Sequence, residues 1–193
     1  MSVPAAAVRA YREGLPALVA SVMGGLLAGV VLGGMRGELR AVSGLLVLIP
    51  ALLATRGNVY SSLGARLATG LHQGLLDPGA PFADPRLRRA IGAAILNGLS
   101  ASGFAAVVAF GVLSGLGQSP ASLGTLLAVA LLAGLLSGVA LSTVVVVLVL
   151  AGYRRGYDPD TLVGPIVTTA GDLFGLAFLV FAVRLVLALG GGP

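Results

Sequence analysis

Residues 161–189 read TLVGPIVTTAGDLFGLAFLVFAVRLVLAL, an apolar run in which Asp172 is the only carboxylate. A transmembrane helix needs about 20 apolar residues, so this run is long enough to cross a bilayer. A charge at bilayer depth costs at least about 2.5–3.5 kcal/mol on insertion scales, and acids kept there usually serve an ion or proton pathway. Asp172 is therefore the first candidate functional residue.

The composition of the whole chain is that of a membrane protein. Of its 193 residues, 57% are hydrophobic and 10% are charged, and the mean hydropathy is +1.03, whereas soluble domains carry roughly 25% charged residues. We predict an all-α integral membrane protein in the cell membrane. The chain has no Cys and a single His, which argues against zinc, copper or iron–sulfur sites and leaves oxygen ligands for any metal.

The basic residues indicate orientation rather than nucleic-acid binding. The net charge is +5, but every basic residue is Arg, and most stand between apolar runs without interleaved aromatics. Seven fall on one side of the predicted spans and two on the other, which predicts a cytoplasmic N-terminus and an external C-terminus. We expect a lipid bilayer, and no nucleic acid, as partner.

Five spans are predicted, in a transmembrane domain of residues 15–189 between a short cytoplasmic segment, 1–14, and an external tail, 190–193. The spans are residues 15–35, 41–76, 90–116, 121–152 and 161–189. In the fourth span, residues 144–149 are entirely apolar, so we expect them to face lipid. No internal repeat is visible, and symmetry, if any, must come from association of copies.

The second span is predicted to be a broken helix. Residues 41–55 are too short for an ordinary span, contain Pro50 and are followed by the polar sequence RGN at 56–58. Beyond it, polar side chains recur every three or four residues and share a helical face: Asn58, Ser62, Arg66, Thr69 and Gln73. We expect this stripe to line a cavity, where interrupted spans are tolerated; the alternative is a surface helix on the headgroups.

The last span groups the residues that suit cation chemistry. Pro165, Thr168, Thr169 and Asp172 are spaced i, i+3, i+4 and i+7, which puts a carboxylate, two hydroxyls and a carbonyl freed by proline on one helical face. This is how one helix can build an oxygen-lined cation path. Arg184 lies about 18 Å further along the helix, too far to pair with Asp172, and is expected to reach the outer interface.

Two other interpretations of Asp172 are compatible with the sequence. In the first, Asp172 pairs with Arg66 inside a scaffold or assembly subunit that transports nothing. In the second, Tyr157-Asp158 and Gly171-Asp172 act as the two acids of an intramembrane aspartyl protease, but position 169 is Thr rather than Gly and Asp158 lies in a polar loop. We expect that the protein is not an enzyme.

Two stretches of the chain resemble a known family. Residues 49–53, IPALL, followed by RGN at 56–58 and by SSLGARLAT at 61–69, are similar to the second-helix signature of MgtE-type magnesium channels and their eukaryotic solute carrier 41 relatives. The run from Asp158-Pro159-Asp160 through Gly164-Pro165 to Asp172 resembles the last-helix signature of that family. The two motifs occur in the family's order.

The resemblance implies a divalent cation transporter, with Mg²⁺ as the transported ion and no organic cofactor. Such membrane domains pair about a two-fold axis, and the second and fifth helices line a central pathway. It implies a homodimer in which Asp172 binds the ion, Thr168 offers its carbonyl, and Asn58 and Ser61 line the pore. Because only about fourteen residues precede the first span, we expect a single-domain version without the family's cytoplasmic sensor.

A dimer axis near Asp172 would suit a doubly charged ion. Two like charges brought together repel, and one dication neutralises both. Mg²⁺ keeps several waters and binds few carboxylates, so two acids ringed by carbonyls and hydroxyls can hold it largely hydrated.

Overall fold

The computed structural model describes the backbone of residues 3–79, 81–156 and 159–190, and every element of regular secondary structure in these ranges is a helix. The long helices are α1 (Val3–Gly34), α3 (Leu45–His72), α4 (Pro85–Gly115), α5 (Leu123–Arg154) and α6 (Pro159–Ala188), with a short α2 (Arg36–Ala41) and a 3₁₀ turn at Pro81–Ala83. The all-α prediction is confirmed for the described residues. Tyr157 and Asp158 lie outside them.

Four of the helices are long and apolar enough to cross a membrane. They are α3, α4, α5 and the part of α6 from Gly164 to Ala188, and α1 contributes a shorter apolar stretch, Leu18–Gly34. This confirms a multi-pass membrane protein, while five spans remain a prediction. Each of α3, α4 and α6 packs against α5, and α1 packs against α6.

The predicted break in the second span is wrong, because α3 is a single helix from Leu45 to His72. A glycine such as Gly57 costs a helix only about 1 kcal/mol, and it faces α6 here: a Cβ at this position would make an ordinary 3.9 Å contact with Thr168. Arg56 is buried rather than solvated. Packing against α6 therefore holds the helix together across residues 56–58.

The expectation that residues 144–149 face lipid is also wrong for most of the run. Val145, Val146 and Val149 are buried, and only Val147 is strongly exposed. The reason is that α5 lies at the centre of the bundle and has neighbours on several sides. A helix that is hydrophobic all round is buried as readily as it is lipid-facing.

The buried apolar residues form two clusters at different heights in the bundle. One cluster lies at the end of the bundle nearest α2 and includes Leu52 of α3 and Leu176 of α6. The other includes Tyr60 of α3 and Val167 of α6. The level between the two clusters, around Arg56 and Asp172, is therefore the place where the bundle core is interrupted by charged residues.

Tyr60 fixes the approach of α3 to α4 and α5. Its hydroxyl is buried without a hydrogen-bond partner, and it lies against two glycines. A Cβ at Gly98 of α4 would lie 3.0 Å from the Tyr60 oxygen, and a Cβ at Gly138 of α5 would overlap it. Small residues at such crossings allow transmembrane helices to pack closely.

We predict that Gly138→Ala destabilises the protein by about 1–3 kcal/mol, because the added methyl group overpacks against Tyr60. In purified protein the melting temperature should fall by about 2–12 °C. Gly111→Ala on α4 is the control, since a Cβ there meets nothing within 4 Å. Adding Tyr60→Phe should restore much of the loss. A Gly138→Ala variant as stable as the control would contradict this packing.

Candidate functional site

Asp172 lies half-buried on α6, at the level between the two apolar clusters. Within the described part of the chain, its carboxylate accepts no hydrogen bond and forms no ion pair. No group of three or more His, Cys, Asp and Glu side chains is found among the described residues. Each chain therefore offers one free carboxylate at this depth, and further oxygen ligands would come from carbonyls, hydroxyls, water or a second copy.

The two threonines before Asp172 point to different neighbours. Thr168 is exposed, donates its hydroxyl to the Gly164 carbonyl at 2.9 Å and faces Gly57 of α3. Thr169 donates its hydroxyl to Ser21 Oγ of α1 at 3.3 Å, and its methyl group packs tightly on Gly24. Thr168 thus lies on the α3 side of α6, whereas the Thr169 hydroxyl is occupied with α1.

Asn58 and Ser61 lie next to this region on α3. Ser61 is half-buried and stands one turn after Gly57, so it shares the face that meets Thr168. Asn58 is exposed and lines a cleft of about 250 Å³ between α3 and α4. The cleft residues are Asn58, Val59, Ser62, Leu63, Arg66, Ala90, Ala94 and Asn97. Three residues of the predicted polar stripe of α3, Asn58, Ser62 and Arg66, therefore border this cleft.

Arg66 does not neutralise Asp172. Its side chain is exposed and belongs to the cleft between α3 and α4. Among the described residues, the ion pair of the structure is Glu38 with Arg184. The pairing on which the scaffold interpretation depends is therefore not found.

Arg56 also lies in this region, and its burial differs from the polar break that the sequence predicts at residues 56–58. It is only 3% exposed, and its three guanidinium nitrogens have no hydrogen-bond partner in the described structure. Its position could have been inferred from the helical stripe Ile49, Leu52, Tyr60 and Leu63, which are all buried and share its face. The guanidinium lies beside Gly175 of α6.

Arg184 was expected to extend freely into the outer interface, and it is indeed 69% exposed. Its Nε nevertheless donates to Glu38 Oε1 at 2.7 Å, and this joins α6 to α2. The hydrogen bond from Arg184, helped by a backbone N–H, lowers the pKa of Glu38 below its ordinary value. This ion pair therefore connects the end of α6 to the short helix that follows α1 in the chain.

This pair predicts a small acid-sensitive contribution to stability. A carboxyl with a lowered pKa in the folded state stabilises the fold above its ordinary pKa, and the contribution is lost as the pH falls through the lowered value. Between about pH 5 and pH 3, the melting temperature of the wild type should fall by about 1–3 °C more than that of Glu38→Gln. Arg184→Gln should behave like Glu38→Gln. Parallel pH curves for all three proteins would contradict the prediction.

Comparison with known proteins gives a consistent result. The model of the MgtE family, described as a divalent cation transporter, matches residues 49–182. Solute carrier family 41 member 2 from Homo sapiens and from Macaca fascicularis is 32% identical over 149 residues, and the Gallus gallus protein is 31% identical over 147 residues. These alignments cover 72% of the chain and 24–25% of each relative. The chain spans about a quarter of the length of these relatives.

Proposed function

Because this chain belongs to the MgtE family of divalent cation transporters, we propose that it carries a divalent cation, Mg²⁺ in the first place, across the membrane. The observation that carries the proposal is Asp172, a carboxylate inside a helix of spanning length that forms no ion pair in the described part of the chain. Acids kept inside a membrane-spanning helix usually serve an ion or proton pathway. The ion is the substrate, and the proposal requires no organic cofactor.

Mg²⁺ fits the donors that the chain offers. It prefers oxygen ligands, dehydrates reluctantly and is usually held by one or two carboxylates with several waters. Besides Asp172, the proposed site would use the Thr168 backbone of α6 and the polar side chains of Asn58 and Ser61 of α3. Mn²⁺, Co²⁺ and Ca²⁺ accept similar oxygen ligands, so the choice among them is made by experiment.

The pathway is proposed to lie between two copies of the chain, at a two-fold axis lined by α3 and α6. One carboxylate neutralises one of the two positive charges of a dication, and Asp172 of a second copy would neutralise the other. The exposure of Thr168 and Asn58 in a single chain supports this arrangement. We assign the ion to the Asp172 carboxylate and the Thr168 carbonyl, with Asn58 and Ser61 on the opposite wall.

Thr169 has a different place in the proposal. Its hydroxyl donates to Ser21 of α1, so its side chain is directed to α1 rather than to α3, and its predicted role as an oxygen ligand is proposed only for an ion that approaches from that side. That contact holds α1 against the helix that carries Asp172. The proposed orientation has the N-terminus in the cytoplasm and the C-terminus outside, following the arginine distribution.

Purified protein in liposomes tests the function directly. Mg²⁺ uptake, followed with a fluorescent indicator inside the vesicles, should exceed that of protein-free liposomes. A panel of Mn²⁺, Co²⁺ and Ca²⁺ ranks the substrates, and imposed Na⁺ or H⁺ gradients distinguish a channel from a coupled exchanger. Absence of uptake for every divalent ion, in protein that is folded and inserted, would contradict the proposal.

A further inference from the structure

Arg56 presents an electrostatic problem that the bundle must solve. Its guanidinium is always charged at ordinary pH, is 3% exposed and has no hydrogen-bond partner in the described structure. A buried charge without a partner is strongly destabilising, and proteins pair such charges or do not keep them. A counter-charge must therefore be available to Arg56 in some state of the protein.

The geometry identifies Asp172 as that counter-charge. A Cβ at Gly175 would lie 2.7 Å from Arg56 Nη1, and Gly175 stands three residues after Asp172 on the same face of α6. Side chains three residues apart have their Cβ atoms about 5–6 Å from each other. The guanidinium beside Gly175 and the carboxylate of Asp172 therefore lie on the same face of α6, within about one helical turn of each other.

The other described carboxylates are already in use. Glu38 pairs with Arg184. In the loop before α4, Asp77 accepts the Gly79 N–H at 2.7 Å and Asp84 caps α4 through the Arg86 N–H at 2.8 Å. Among the described residues, Arg56 and Asp172 are therefore the two charged side chains without a hydrogen bond or ion pair at the level between the apolar clusters.

We propose that Arg56 is the resident counter-ion of Asp172: it pairs with the carboxylate when the site is empty, and a divalent cation displaces it. Arg56 is then a residue that determines ion specificity. At the same distance a dication interacts with a carboxylate twice as strongly as a monovalent ion does. A monovalent ion at that distance gains no more than the guanidinium already provides, so we expect it to displace Arg56 less readily than a dication does. The inference rests on the proposed function, because it takes Asp172 as the ion-binding group.

Gly175 has a specific role in this arrangement. With no side chain, it leaves room for the guanidinium to lie on α6 next to Asp172. A Cβ at Gly175 would lie against both the Arg56 guanidinium and Leu53 Cδ2, the latter at 2.8 Å. Gly175→Ala should therefore push the guanidinium aside, and its Mg²⁺ response, rather than its melting temperature, should change as that of Arg56→Gln does. Gly171→Ala is the matched control on the same helix, since its Cβ would make only an ordinary 3.9 Å contact with Leu141.

The first test is a double-mutant cycle in detergent with a chelator present. Asp172→Asn should lower the melting temperature by about 6–20 °C, because it removes the counter-charge from a buried guanidinium. The double variant Arg56→Gln/Asp172→Asn should regain half of that loss or more, which is a coupling between the sites. Additive effects of the two substitutions would overturn the inference.

The second test measures the ion response of the same proteins. The Mg²⁺ concentration that gives half of the maximal rise in melting temperature should fall about tenfold in Arg56→Gln, within the range typical of coupled sites. In this variant Na⁺ should also compete with Mg²⁺ for the site. Arg56→Lys should behave like the wild type. An unchanged midpoint without Na⁺ competition in Arg56→Gln would overturn the role in specificity.

The two tests separate this inference from the proposed function. Additive melting effects together with a normal Mg²⁺ response would overturn the resident counter-ion and leave divalent transport standing. Coupled melting effects with no Mg²⁺ response in any variant would overturn displacement by Mg²⁺ and would count against the proposed function, while the ion pair itself would stand.

Discussion

Asp172→Asn is expected to lower Mg²⁺ uptake into proteoliposomes by at least about 100-fold. The substitution keeps the shape of the side chain and removes the one negative charge that each chain offers inside the spans among the described residues. Charges about 4 Å apart interact by about 4 kcal/mol at the effective dielectric of a protein surface, and every 1.4 kcal/mol is a factor of ten. Partial exposure of Asp172 reduces this figure, which is why 100-fold is taken as the lower limit.

Asp77→Asn is the matched control. It makes the same change of charge in the loop after α3, and an asparagine oxygen can still accept the Gly79 N–H that Asp77 Oδ1 accepts. Its uptake should equal that of the wild type. Asp172→Asn should still fold, insert and associate as the wild type does, although with the lower melting temperature expected from the loss of the Arg56 counter-charge. If Asp172→Asn takes up Mg²⁺ as fast as the wild type, the proposal that the ion binds at this carboxylate is wrong.

The importance of Asp172 could be inferred from the sequence because the relevant physics is local. A lone carboxylate in a long apolar run is unusual in any membrane fold, and its spacing from Thr168 follows from helix geometry alone. The all-α class followed from the same hydropathy. The neighbours of the two threonines could not be predicted, since they depend on where α1 and α3 pack against α6.

The errors of the sequence analysis have a common physical origin. In α5, the apolar residues lie all around the helix, so Val145 and Val146 carry no signal that separates a core face from a lipid face. At residues 56–58, a polar tripeptide with a glycine suggested an interruption. The helix nevertheless continues from Leu45 to His72, because one glycine costs a helix only about 1 kcal/mol and the buried residues on both sides of it pack against neighbouring helices.

Arg56 shows the limit of reading polarity as exposure. Because Gly57 and Asn58 follow Arg56, the sequence suggests that all three form a polar break. The helical position of Arg56 nevertheless places it on the buried stripe of α3. Burial of a charge depends on what the neighbouring helix offers, in this case Gly175. Only the tertiary arrangement shows that the positive charge and the carboxylate occupy one level of the bundle.

Asn58→Cys, followed by a positively charged thiol reagent, is expected to reduce Mg²⁺ uptake at least about tenfold. The chain has no cysteine of its own, so the reagent reacts at one known position. A fixed positive charge on α3 beside the proposed pathway repels the ion and narrows its route. Protein without the substitution should be insensitive to the reagent.

Gln118→Cys is the control for the labelling itself. Gln118 is exposed in the loop between α4 and α5, so it should react fully and leave uptake unchanged. Mass spectrometry gives the extent of labelling for both variants. Complete labelling of Asn58→Cys with undiminished uptake would exclude this face of α3 from the pathway, and the ion would then have to reach Asp172 along α6 from the opposite side. A block confined to Asn58→Cys would instead support an ion route that passes this face of α3.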